Sequence, residues 1–190
     1  MSLDTITINQ RMDRFDAHVD FWLFGYGSLI YKADFAFLER RPATMRDRSR
    51  RLWQGSQDHR GTPESPGRVA TLIDDPGARC IGMAYRVSPE ILAHLDRREK
   101  NGYLRVVSPI VFDDGVATDA LVYIATAENA AWLGPASEHE VARQIRHRVG
   151  PSGSNHDYVV RLAQALAELG ARDAHVETIA RLLNETERDG

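Results

Sequence analysis

Two stretches of the chain carry residues whose types and spacing can do chemistry. The first is Phe21-Trp22-Leu23-Phe24-Gly25-Tyr26-Gly27-Ser28-Leu29-Ile30, an apolar run of strand length that stops at Gly-Tyr-Gly-Ser. Two glycines around an aromatic, followed by a hydroxyl, make a turn whose backbone can come close to a ligand. At the end of a buried strand, such a turn can offer its N–H groups to an anion or to a developing oxyanion. The second stretch lies far along the chain. Arg97-Arg98-Glu99-Lys100 holds a carboxylate among cations and can supply the acid/base group that such a cradle lacks.

Near-matches to other motifs narrow the choice. Ile30 stands where a dinucleotide fingerprint begun at Gly25-x-Gly27 needs its third glycine, and no acid follows a second strand at the required distance. Ile30 also fills the last position of a Gly-x-Ser-x-Gly elbow, and nothing in the sequence ties a histidine to Ser28 as a nucleophile's partner. In His139-Glu140-Val141-Ala142-Arg143 an arginine replaces the second histidine of a zinc protease. No other His or Cys pair has ligand spacing, so neither metal nor cofactor is expected. His139 and His147 read as solvated helix residues, and Trp22, Trp53 and Trp132 as core or rim. Cys80 reads as a small buried hydrophobe at the start of a strand. The basic run Arg46–Arg51 reads as the solvated face of a strand.

Composition sets the frame for these residues. The 190 residues suffice for one domain with a substantial core, and 43% of them are hydrophobic, as in a globular chain. A formal net charge of −3 argues against nucleic acid as the main partner. A single cysteine excludes an internal disulfide and fits a reducing compartment. No apolar run approaches a membrane span of about 20 residues, and residues 1–20 contain no signal-peptide core. The reading is a soluble cytoplasmic protein with no nucleic-acid or membrane partner; its oligomeric state cannot be read.

The elements that must position the two stretches follow from periodicity and punctuation. Residues 1–20 are polar and expected to pack loosely, 21–184 to form a single domain, and 185–190 to be a tail. Phe21–Phe24 reads as a strand buried on both faces. A short helix is expected over Asp34–Arg40, and strands over Arg48–Gln54, Arg68–Ile73 and Cys80–Val87. The breaker-rich segment between Gly55 and Gly67 is expected to be a surface loop. Ser88-Pro89-Glu90 opens a helix running to about Arg98, which puts Glu99 at or just past its C-terminus. Tyr103–Phe112 and Val116–Ala125 read as strands joined by the hairpin signal Asp113-Asp114-Gly115. Ser137-Glu138-His139-Glu140 is a capping box for a helix through Val141, Ile145 and Val149. Asn155 is expected to cap a helix with Tyr158, Val159, Leu162, Ala163, Leu166 and Leu169 on its apolar stripe, ended by Gly170. A last helix runs to about Asn184. Strands with one inserted helix, then helices, predict an α+β fold around a mostly antiparallel sheet or small β-barrel.

Six segments in order resemble the ChaC-type γ-glutamylcyclotransferases, which act on glutathione. They are Phe-Gly-Tyr-Gly-Ser-Leu-Ile at 24–30, Ser-Arg-Arg-Leu-Trp-Gln-Gly-Ser-Gln-Asp-His-Arg-Gly at 49–61, Pro-Gly-Arg-Val-Ala-Thr-Leu at 66–72, Gly-Met-Ala-Tyr-Arg-Val at 82–87, Leu-Asp-Arg-Arg-Glu-Lys-Asn-Gly-Tyr at 95–103 and Gly-Pro-Ser-Gly-Ser-Asn-His-Asp-Tyr at 150–158. The chain departs from the family's usual pattern at Asn101, where glycine is common, and at Asp157, where glutamate is usual.

The resemblance implies a γ-glutamylcyclotransferase-like fold and conversion of glutathione to 5-oxoproline and Cys-Gly, without metal, cofactor or protein nucleophile. From spacing alone Glu99 reads as an exposed helix-end glutamate paired with Arg97, Arg98 or Lys100; by the match, it is the acid/base. The Tyr26-Gly27-Ser28-Leu29 turn binds the γ-glutamyl unit, whether at its α-carboxylate or at its reacting carbonyl. Tyr158 reaches the pocket from the first turn of its helix. Arg50, Trp53, His59 and Arg60 lie in a matched segment, and some of them are expected to shape the pocket or bind the glycine carboxylate. The alternatives are a non-catalytic γ-glutamyl-binding or cation-transport regulatory protein, and a cyclotransferase for another γ-glutamyl amine.

Overall fold

The computed structural model describes residues 4–11 and 19–185. Five strands close into a barrel: β1 (Phe21–Gly25), β2 (Glu39–Ser56), β3 (Gly67–Val87), β4 (Tyr103–Phe112) and β5 (Ala117–Ala125). Their order around the barrel is β1-β3-β2-β4-β5. All pairs are antiparallel except β1 with β5, which closes the ring in parallel through Trp22–Ala120 and Leu23–Leu121. The closing contacts are short: β2 meets β4 only through Ala43–Phe112 and Thr44–Val111, as β1 meets β5 through two pairs. The α+β expectation with a small barrel therefore holds. Two further strands, β6 (Val149–Gly150) and β7 (Gly153–Ser154), form a separate hairpin.

The helices are α1 (Ile6–Gln10), α2 (Leu92–Arg98), α3 (Glu138–Ile145), α4 (Asn155–Glu168) and α5 (Ala174–Glu185). β1 is buried on both faces, as its unbroken apolar sequence predicts. Phe21 and Leu23 pack with Met83, Tyr85, Leu121 and Tyr123 beneath Leu92 and Leu95 of α2. Phe24, on the other face, joins a core that runs through Met45, Ile110 and Val122 to α3, α4 and α5. The helix that carries Glu99 thus rests on one face of β1, and the strand itself delivers the Gly-Tyr-Gly-Ser turn. No helix of the described residues is long and apolar enough to cross a membrane.

Several local expectations are corrected. The segment 34–40 is not a helix. Phe35 and Phe37 each set a ring edge against Tyr85, at centroid distances of 5.5 and 5.3 Å. That alternation suits extended chain, and the Leu38 N–H donates to Arg86 O at 2.8 Å, leading into the β2–β3 ladder. The two strands expected over 68–73 and 80–87 are one, β3, which crosses the Asp75–Ala78 excursion at a register shift. Cys80 is buried in the middle of that strand rather than at its start. Helix α3 stops at Ile145, and Val149 lies exposed on β6. Ser154 caps α4, its Oγ accepting from Asp157 N–H at 3.0 Å. Asn155 is instead fully buried and pairs with both backbone groups of Arg68. Where it is described, the N-terminal segment packs in part: Thr5 and Asn9 are buried, while Ile8 and Val19 are exposed. The expected tail lies, past Glu185, outside the described residues.

Candidate active site

The Gly-Tyr-Gly-Ser turn is built by close approach. A Cβ on Gly25 would sit 2.5 Å from Leu29 Cβ, so the chain can double back at the end of β1 only with glycine there. The fold-back becomes a 3-10 turn over Ser28–Ile30, with Ile30 N–H donating to Gly27 O at 3.0 Å and Lys32 N–H to Ser28 O at 2.8 Å. The amides of Ser28 and Leu29 open that turn and have no acceptor within it.

Buried pins hold the turn from behind. Arg50 Nε donates to Tyr26 O at 2.5 Å, Tyr85 Oη to Leu29 O at 2.6 Å, and Tyr26 Oη to Tyr123 O at 2.6 Å. Arg50 is 2% exposed. Its guanidinium is spent on Tyr26 O, Asp173 (2.5 Å), Ile81 O (2.6 Å) and the Cys80 thiol. It does not line the cavity, so the expected substrate contact gives way to a structural one. The bland reading of Arg46–Arg51 as a solvated strand face fails at the same residue.

Glu99 arrives from α2. Its N–H donates to Leu95 O at 2.9 Å, which makes it the C-terminal cap of that helix, where the sequence puts it. Asp96, 1% exposed, anchors the helix by pairing with Arg105 of β4 and accepting from Tyr123 Oη of β5 at 2.8 Å. Burial raises the Glu99 carboxyl above the ordinary glutamate range, against the lowering pull of Arg98 and His59. Arg98 links the two stretches. Its Nε lies 3.2 Å from Glu99 Oε1, its Nη2 donates to Ser28 Oγ at 3.0 Å, and its Nη1 pairs with Asp34.

Two phenols complete the inner wall. Tyr158, in the first turn of α4, accepts Ala70 N–H at 3.0 Å, which leaves its own proton to be donated elsewhere. Tyr103 Oη donates to Ala70 O at 2.7 Å. Burial raises both hydroxyls above the ordinary phenol range, so they stay neutral and able to donate. The β2–β3 loop brings His59, tied to Ser152 at 2.9 Å, and Arg60, whose guanidinium stands 5.5 Å from the Tyr158 ring centroid.

These residues surround one cavity of about 190 Å³. Of the residues expected from sequence, Tyr26, Gly27, Ser28, Leu29, Glu99 and Tyr158 line it, and so do His59 and Arg60; Arg50 and Trp53 do not. Sequence reasoning assigned no pocket role to Lys32, Asp34, Asp58, Arg98, Asn101, Tyr103, Tyr123 or Ser152, all of which also line it. Arg98, Asn101 and Tyr103 lie inside the matched stretch around Glu99, which was the available signal. Lys32 and Asp34 follow the cradle with no pattern of their own.

A raised carboxyl and a backbone cradle lining one small cavity at the end of a closed barrel is the arrangement of an enzyme, and the fold is that of the γ-glutamyl cyclotransferases. A yeast structure, described as a γ-glutamyl cyclotransferase specific to glutathione, superposes with a TM-score of 0.82 at 32% identity. The match covers 87% of this chain and 96% of that one. A structure named γ-glutamyl cyclotransferase, at 18% identity and a TM-score of 0.55, shares the fold. In sequence, Arabidopsis thaliana γ-glutamylcyclotransferase 2-3 is 40% identical over 182 residues, 87% of this chain and 92% of the relative. Human glutathione-specific γ-glutamylcyclotransferase 1 is 41% identical over 170 residues, 83% of this chain and 76% of the relative. The family model described as ChaC-like protein matches residues 21–186. The chain belongs to the ChaC-like family.

Proposed function

We propose that this protein is a glutathione-specific γ-glutamylcyclotransferase that uses Glu99 as acid and base. The α-amine of the γ-glutamyl unit attacks that unit's own γ-carbonyl carbon. A C–N bond closes the five-membered lactam, and the amide bond to the cysteine nitrogen breaks. The products are 5-oxoproline and Cys-Gly, and no water is consumed. The α-ammonium must lose a proton before its nitrogen can attack, and the cysteine nitrogen must gain one to leave. A single carboxylate between the two nitrogens serves both transfers. A carboxyl raised by burial suits that task better than one at the usual glutamate value of about 4.3.

The observation that carries this reading is the meeting of Glu99, Arg98 and Ser28 at one cavity edge. It supports the reading of Glu99 as proton carrier for a substrate held by the turn, whose amides can meet the oxyanion or the α-carboxylate. Tyr158 is a second neutral donor, and the small cavity favours a substrate folded back on itself. Arg60 and His59 on the opposite loop suit the glycine carboxylate. The single buried Cys80 fits the reducing cytoplasm where such a thiol substrate would be met.

The test is a product assay with glutathione and γ-glutamyl-alanine side by side. Equimolar 5-oxoproline and Cys-Gly from glutathione, with little turnover of γ-glutamyl-alanine, is expected. Equal turnover of both would replace the substrate with a broader class of γ-glutamyl amines. Glutathione binding without products would replace the enzyme with a binding protein.

A further inference from the structure

The family match begins at residue 21, yet a segment before it reaches the site. Thr5 stands at the N-terminus of α1, where a threonine hydroxyl ordinarily accepts a helix amide. Here it makes no cap bond, and Ile6 N–H is taken instead by Asp4 Oδ1 at 2.9 Å. The Thr5 hydroxyl is turned away to the chain that leaves Glu99. It lies 2.9 Å from Lys100 O and 2.8 Å from Tyr103 O, and Thr5 N–H also donates to Lys100 O at 2.9 Å. Asn9, 0% exposed, donates from Nδ2 to Tyr103 O at 3.0 Å and accepts Arg105 N–H at 2.9 Å. Asp4 forms a β-bridge with Asn101.

These bonds fall on one short stretch. Glu99, Asn101 and Tyr103 all line the cavity, and the turn between them pivots on Gly102 at φ +90°, in the left-handed region open to glycine. From inside, the stretch is held by Gln54 Nε2, 3.3 Å from Asn101 O. From outside, the carbonyls of Lys100 and Tyr103 have Thr5 and Asn9. Lys100 O also accepts Gly102 N–H at 3.1 Å, so neither carbonyl depends on one donor alone; what the Thr5 hydroxyl and the Asn9 amide add is the side-chain tie between α1 and this turn, and losing either loosens it.

We propose that Thr5 and Asn9 are positioning residues for Glu99, clamping the Lys100–Tyr103 turn so that the carboxylate keeps its place against the cradle. The proposal rests on Glu99 being the acid/base. A positioning role acts on the chemical step and not on substrate binding, and small displacements suffice, since about 1 Å can cost about a hundredfold in rate.

The test uses the full chain and glutathione. Thr5→Val removes the hydroxyl at nearly constant shape, Thr5→Ser restores it, and Asn9→Ala removes the second clamp. Glu99→Gln is measured in parallel. Thr5→Val and Asn9→Ala are each expected to lower kcat about tenfold with KM within about twofold, Thr5→Ser to keep wild-type kcat, and amide exchange to quicken over Lys100–Tyr103 in the first two. Measurements are made well below each variant's own melting temperature, so loss of folded protein does not enter. If Thr5→Val or Asn9→Ala does not fold, Thr5→Ala takes its place with the same expectation. Wild-type kcat in the clamp variants, while Glu99→Gln is inactive, would overturn the clamp and leave the catalytic reading standing. Turnover in Glu99→Gln would overturn the catalytic reading itself.

Discussion

The two halves of the site are held by opposite means. The Tyr26–Leu29 cradle is set by close packing and buried pins: a glycine that touches Leu29, and carbonyls fixed by Arg50 and Tyr85. What it offers is backbone amides, which do not titrate. The Glu99 arm hangs from a seven-residue helix and a glycine turn, and what it offers is a single carboxylate whose charge depends on its surroundings. A cyclotransferase needs both: a fixed frame for the carbonyl that reacts, and a proton carrier that changes state twice per turnover. Geometry is kept in the first half and titration in the second. Substitutions should therefore fail differently in each.

The largest effect is expected at the arm. Glu99→Gln keeps the shape and removes the proton transfer, so kcat for glutathione should fall about a thousandfold. Binding of an unreactive γ-glutamyl analogue, measured by calorimetry, should be retained. Loss of binding with the same severity would make Glu99 part of the frame and dissolve the distinction.

Gly25→Ala is the corresponding blow to the cradle. The new methyl cannot coexist with Leu29 Cβ, so the turn must shift. Overpacking of this kind costs about 1–3 kcal/mol of stability, and a displaced cradle costs about a hundredfold in kcat/KM. Steady-state kinetics and thermal melting should move together here, whereas in Glu99→Gln only the kinetics collapse.

Which parts of this contrast the sequence discloses is itself a matter of range. The Ser137–Glu140 capping box, the Asp113–Gly115 hairpin and the placement of Glu99 at a helix end depend on neighbours a few residues away, and they are legible. Arg50 is not, because its partner Asp173 lies on a distant part of the chain, and a basic run on a strand looks solvated until that carboxylate is in place. The segment 34–40 misleads for the same reason: Phe35 and Phe37 are extended by Tyr85, not by their own neighbours. Thr5 and Asn9 give no signal, since their partners are backbone groups on the far side of the barrel sequence. The cavity-lining residues Tyr26–Leu29, Glu99 and Tyr158 were legible through the family's ordered segments. The residues that hold them were not.

Arg50 sharpens the division between pin and ligand. Arg50→Met removes the bond to Tyr26 O and leaves Asp173, 14% exposed at its side chain, without its cation. Breaking such a pair by deleting one partner costs about 3–5 kcal/mol. Adding Asp173→Asn should recover part of the lost melting temperature. KM of the folded fraction should change by less than about threefold. A large KM effect without destabilisation would return Arg50 to the substrate.

Only the arm should respond to pH. Glu99 must be ionised to take a proton, so kcat/KM should climb with pH through a limb above the ordinary glutamate range. Arg98 is the strongest influence lowering that carboxyl. Arg98→Gln should therefore move the limb to higher pH, read from the pH profile. A limb that stays put would mean that some other group carries it.

The smallest effect is on stability, and its sign separates the halves most cleanly. Burial raises the Glu99 carboxyl in the folded protein, so the folded state holds that proton more tightly than the unfolded chain does. The stabilisation from this group is present below the unfolded pKa and is lost as pH rises through the folded one. At neutral pH the ionised carboxylate is thus a burden on the fold, as the proposed acid/base role entails. Glu99→Gln should melt higher than the wild type at pH 7, and the gap should close as pH falls toward the ordinary glutamate value. Thermal melting of the two proteins across that range decides it, and a gap of constant size would mean that packing, not ionisation, sets the difference. Gly25→Ala, by contrast, should be destabilised by the same amount across that range, because the one titratable side chain of the cradle, Tyr26, is pushed by burial above the ordinary phenol range.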